Sequence, residues 1–139
     1  LYYVNQDQIE RRLNAIPHIA EGMREAAAAW KPTVACGFIQ ERALHLAIEV
    51  VTDVGSYLID GFIMRDASSY EDIMDIIHEE KVMSKPVYDA FIELVRLRRP
   101  LVQEYYDWDR FALHPLTESL PGLLETFASE VRGYLEREL

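Results

Sequence analysis

Residues 87–105 read VYDAFIELVRLRRPLVQEY. Val87, Phe91, Leu94, Leu101 and Tyr105 recur at three- and four-residue steps or their sum, which marks one face of an amphipathic helix. Arg98 falls in the middle of that face. An arginine there must find partners inside the protein, lie at a surface that something else covers, or pack its stem and send its guanidinium out to water.

Arg96, Arg98 and Arg99 crowd into four residues, and Pro100 follows at once. Proline removes one helical hydrogen bond and clashes with the preceding turn, so a kink or break is expected there. On a straight helix Arg98 and Gln103 point roughly 140° apart. They share a site only through a kink, or when one copy of the chain meets a second.

The patterns outward from this stretch are helical too. Asn5 is placed to cap a first helix, with Gln8 as the reciprocal partner of a capping box. Its stripe is Ile9, Leu13, Ile16, Ala20, Met23 and Ala27, and Pro17 should bend it. Trp30, Lys31 and Pro32 form a loop. A long second helix runs from about Val34 to about Phe62, roughly 45 Å at helical rise. Leu44, Ile48, Val51, Gly55, Leu58 and Phe62 line its core face. Gly55 there predicts close approach by another helix. The other face carries Arg42, Glu49, Asp53, Ser56 and Asp60, with His45 at its border and Leu46 and Tyr57 interrupting it. That mixture reads as an interface.

Ser69 is placed to cap a short helix with Ile73, Ile76 and Ile77 on its apolar side. Ser84 is placed to cap the helix that leads into residues 87–105, with Pro86 tolerated in its first turn. Asp107 to Pro115 is a connector holding Trp108 and His114. The last helix is expected to start around Ser119 to Pro121, with Leu124, Phe127, Val131 and Tyr134 or Leu135 inward. No strand alternation, repeat or linker interrupts these patterns. The expected fold is all-α: an up-and-down bundle of four to five helices over residues 1–139, one domain, with the long second helix at its centre.

Composition narrows the function. Half of the 139 residues are hydrophobic and 27% are charged, which suits a core-forming domain. No apolar run approaches the roughly 20 residues that span a bilayer. No signal peptide is recognised. A single cysteine, Cys36, excludes an intrachain disulfide and a zinc finger, and a reducing cytoplasm is the expected location. The net charge of −10 excludes broad affinity for nucleic acid or anionic membrane, while leaving room for a local basic pocket. The arginine cluster, extended by Arg110, is the candidate.

His45, Glu49 and Asp53 recur at four-residue steps, a spacing that can bring metal ligands to one helix edge, but no second such set answers them. A polar or interfacial face explains them better, and no metal or cofactor is expected. There is no glycine-rich phosphate loop, and nothing marks a serine as a nucleophile. His114, four residues after Arg110 and just before Pro115, is a candidate general base near the arginines. Tyr105 and Tyr106 beside the arginines could stack on bases, although the stripe places Tyr105 in the core.

Leu97-Arg98-Arg99-Pro100-Leu101-Val102-Gln103-Glu104-Tyr105 resembles the closing motif of the HepT-like family of HEPN domains, often LRNxLVHEY. Gln40 to Leu44, Ala47 to Glu49, and especially Tyr57 to Asp66 continuing through Ser69 to Ile76, resemble the YutE-like branch of that family. The resemblance covers most of the chain. It implies a five-helix bundle that dimerises. It also implies metal-independent endoribonuclease chemistry in toxin members, with two motifs facing each other across one cleft. A nucleotidyltransferase-fold antitoxin, MntA, can adenylylate the motif tyrosine in such pairs. By position the arginine is Arg98 and the tyrosine Tyr105. The family histidine is Gln103 here, and the usual asparagine is Arg99.

Three readings follow. The first is a binding module with an arginine-lined cleft for RNA or a nucleotide at a dimer interface, its catalysis impaired by Gln103. The second is an active endoribonuclease toxin, with Glu104 or His114 as replacement base. The third is a non-catalytic dimeric interaction protein.

Overall fold

The computed structural model describes residues 2–139. Six α-helices account for most of them: α1 (Gln6–Leu13), α2 (Ile16–Ala28), α3 (Val34–Gly61), α4 (Tyr70–Glu79), α5 (Lys85–Arg96) and α6 (Pro115–Glu138). No strand occurs among the described residues. Sequential neighbours from α2 to α6 pack side by side, α2 and α6 close the ring, and α1 lies on α3. The fold is therefore all-α, a bundle of five helical units in which the first is split.

The split falls before the expected bend. Asn5 caps α1 by accepting the Gln8 N–H at 3.2 Å. The Gln8 side chain closes no reciprocal box and instead accepts from Arg12. At the end of α1 the Ala15 N–H turns back to the Arg12 carbonyl, 3.0 Å away. A continuous helix would press the Pro17 ring onto the Leu13 carbonyl, so the chain restarts and places Pro17 at the tolerated second position of α2. The stripe survives the restart: Ile9, Leu13, Ile16, Ala20 and Met23 are all buried.

Helix α3 forms the central wall. Thr33 accepts the Cys36 N–H at 3.2 Å and caps it. Leu44, Ile48, Val51, Leu58 and Phe62 are buried, as their spacing required. At Gly55 an added Cβ would stand 2.4 Å from Ile73 Cγ2, so the glycine lets α4 approach. Beyond α3 the Met64 N–H reaches back to the Ile59 carbonyl at 2.9 Å, with Ile63 in the left-handed region at φ 54°.

Part of the mixed face of α3 is an internal contact. Arg12 on α1 bonds Asp53 at 3.3 Å and lies 5.0 Å from the Tyr57 ring centroid. Those two residues are therefore answered within the chain.

Ser69 caps α4 by accepting the Asp72 N–H at 3.0 Å. Ser84 stands at the start of α5 but makes no capping bond; its N–H and hydroxyl both go to Glu130 on α6. Helix α6 starts earlier than expected. Two prolines compete for its first turn, and Pro115 takes it while Pro121 sits buried in the interior. The decision comes from outside the helix, through contacts at His114.

Candidate functional site

Helix α5 does not run straight into the arginine stretch. Pro100 has no N–H to give the Arg96 carbonyl, and the ladder slips. Arg99–Gln103 become a π turn, in which the Glu104 N–H bonds the Arg99 carbonyl five residues back at 2.8 Å. A five-residue step is then close to a full turn. The side chains register this: Arg99 Nε meets Glu104 Oε2 at 3.2 Å, a pairing that a straight α-helix would hold on diverging faces. By the same geometry the angle between Arg98 and Gln103 falls below the roughly 140° of a straight α-helix.

The turn also ends the apolar stripe. Leu101 is buried, but Glu104 leaves helical geometry at ψ 40° and a tight turn over Tyr105–Asp107 follows. Tyr105 is 60% exposed, contrary to the core position its spacing predicted. Tyr106 is exposed beside it, the two rings meeting edge to face.

The arginines divide sharply. Arg96 bonds Glu71 at 2.8 Å, Arg99 is paired with Glu104, and Arg110 grips Glu41 at 2.6 and 2.8 Å. Arg110 therefore extends no basic pocket. It docks the connector onto α3, lying over the Phe38 ring and so close to Gly37 that a Cβ there would fall 2.3 Å from the Arg110 carbonyl. Arg98 alone of the four makes no ion pair among the described residues. Its guanidinium carbon lies 4.4 Å from the centroid of the Tyr70 ring.

The replacement bases are both engaged. Glu104 holds Arg99. His114 caps α6, its Nδ1 accepting the Leu116 N–H at 3.0 Å, which leaves the ring proton on Nε2. Burial pushes its pKa below the ordinary value, so it stays neutral as a structural cap. Sequence reasoning gave Gln40 no structural part. It is wholly buried, donates to the Ala112 carbonyl at 3.0 Å, and accepts from the His114 N–H at 2.8 Å and the Thr117 hydroxyl at 2.7 Å. A polar residue on the core side of a long helix was the available signal.

His45 and Glu49 approach to 3.5 Å, but Asp53 is drawn away to Arg12, so the three do not form a metal site. Beside the π turn, an open hollow of about 380 Å³ is bounded by Phe38, Glu41, Arg42, His45, Leu101 and Val102. Phe38 and Ile39 are exposed on the same end of α3.

A family model described as ribonuclease HepT-like matches residues 9–129. The chain belongs to the HepT-like ribonuclease family. YutE of Bacillus subtilis (strain 168), provisionally named an RNase, is 37% identical over 139 residues, all of this HepT-like chain and 95% of the relative. The YutE structure, described as that of a cytosolic protein of unknown function, superposes with a TM-score of 0.87 at 34% identity, covering 100% of this chain and 96% of that one. Two toxin–antitoxin structures share the fold. One holds AMP-PNP (TM-score 0.75, 13% identity, 88% and 96% covered), and one is an MntA–HpeT mutant (TM-score 0.76, 14% identity, 91% and 98% covered).

Proposed function

We propose that this HepT-like protein is a single-domain, cytoplasmic homodimer that binds RNA or a nucleotide in a cleft lined by Arg98 from each protomer, with impaired cleavage. One observation carries the reading. Arg98 is the arginine of its cluster left without a carboxylate, at the start of the π turn that ends at Gln103. A guanidinium in that state can bind a phosphate and stabilise negative charge that develops on it. RNA cleavage without a metal also needs a proton acceptor for the 2′-hydroxyl and a donor for the leaving oxygen. The amide of Gln103 titrates nowhere useful, and His114 and Glu104 are committed elsewhere.

One unpaired arginine in the cluster, on a chain of net charge −10, gives weak binding. Two copies facing each other double it, and the exposed Phe38 and Ile39 beside the hollow supply apolar surface for that contact. The cytoplasmic placement draws on the cytosolic description of the YutE structure. No helix among the described residues is long and apolar enough to cross a membrane.

The second reading, an active toxin held by a nucleotidyltransferase antitoxin, draws on the exposed Tyr105 and on the toxin–antitoxin neighbours. Metal-free incubation of purified protein with a defined RNA separates the two. The expected result is binding without cleavage by the wild type, cleavage by Gln103→His, and loss of binding in Arg98→Ala. Cleavage by the wild type that Arg98→Ala abolishes would establish the toxin reading instead.

A further inference from the structure

The start of α4 meets the end of α5 through two adjacent residues, and they treat their arginines differently. Glu71 takes Arg96 at 2.8 Å and cancels its charge. Tyr70 takes Arg98 on its ring face, 4.4 Å from the centroid, and cancels nothing. An aromatic face attracts a guanidinium through its quadrupole and leaves the net positive charge intact. We propose that Tyr70 is a positioning residue that holds Arg98 oriented and still cationic, ready for a phosphate. This rests on the reading of Arg98 as the phosphate-binding group.

The surroundings make such a device necessary. The chain carries 24 acidic residues against 14 basic ones, and Arg96, Arg99 and Arg110 have each been captured by a carboxylate. A freely rotating Arg98 loses rotamer entropy on binding, and the carboxylates that hold its neighbours show what an unrestrained guanidinium here is drawn to. The Tyr70 ring removes both problems. The helix turn that carries the ring is held in place. Ser69 caps the helix beneath it, and Arg65 grips Asp72 through two 2.8 Å bonds while Asp72 also accepts the Ser68 N–H at 2.9 Å.

The test uses the full chain and a short fluorescein-labelled oligoadenylate, followed by anisotropy without metal. Tyr70→Phe keeps the ring face, Tyr70→Leu keeps apolar bulk without it, and Arg98→Ala sets the floor. Tyr70→Ser is a second ring deletion should the leucine variant fold poorly. The expected result is wild-type affinity for Tyr70→Phe and about three- to tenfold weaker binding for Tyr70→Leu. The Arg98 Nε–H resonance should be shifted by the ring current in wild type and Tyr70→Phe, and should move in Tyr70→Leu. Wild-type binding by Tyr70→Leu alongside loss in Arg98→Ala overturns the positioning role and leaves the cleft standing. Loss in Tyr70→Phe assigns the effect to the hydroxyl and overturns it as well. Undiminished binding by Arg98→Ala overturns the cleft itself, and the positioning role with it.

Discussion

Arg99 and Glu104 meet at 3.2 Å although they stand five positions apart along the same turn. That contact exists because Pro100 forces the wide turn. It also removes Arg99 from the pool of available cations. Glu104→Gln should release it. RNA binding is expected to tighten, and the slope of log affinity against log salt should steepen by about 0.7 for each added phosphate contact on a single strand. Because the Arg99 side chain is largely exposed and Glu104 partly so, the unfolding midpoint should move little. An unchanged salt slope would show that Arg99 points away from the RNA.

His114 makes stability depend on pH. Burial holds its folded pKa below the ordinary 6.5, so the unfolded chain binds the proton more readily. The stabilisation is complete above about pH 6.5 and is lost as pH falls through the folded pKa. His114→Asn keeps a side-chain acceptor for the Leu116 N–H and removes the titration. Urea unfolding at a series of pH values should show a flatter profile for that variant over this window.

Gln40, itself wholly buried, closes three hydrogen bonds, and the connector and α6 both depend on it. Gln40→Leu leaves those partners unsatisfied at nearly constant volume. A loss of about 2–4 kcal/mol is expected from urea unfolding, with m unchanged.

Ile63 occupies the position after α3 where glycine is at ease, at φ 54°, with 74% of its surface exposed. A β-branched residue there is strained, and little burial offsets the strain. Ile63→Gly should stabilise the protein by about 1 kcal/mol, seen as a rise in Tm. A fall would mean that the isoleucine side chain makes contacts worth more than the strain.

Gly55 faces the opposite constraint. Gly55→Ala sets a methyl 2.4 Å from Ile73 Cγ2 inside the core. A cost of about 1–3 kcal/mol is expected. Ile73→Leu moves the branch away from the contact, so the double variant should recover part of that loss in the same unfolding measurement.

The sequence alone determined the helices and their buried faces. Periodicity at Ile9 to Met23, Leu44 to Phe62 and Val87 to Leu101 is a local record of which side must leave water, and caps at Asn5 and Ser69 are short-range hydrogen bonds. Family membership was legible too, since it lies in the residues themselves. Tertiary structure decided the rest. The start of α6 at Pro115 rests on Gln40, which is 74 positions from His114 and 77 from Thr117. The exposure of Tyr105 follows from a ladder slip at Pro100 that a regular period does not contain. The charge state of the arginine cluster depends on Glu71 and Glu41, brought close by packing, and on the ring of Tyr70. Such pairings depend on how the helices dock, and docking is settled by the summed fit of whole faces.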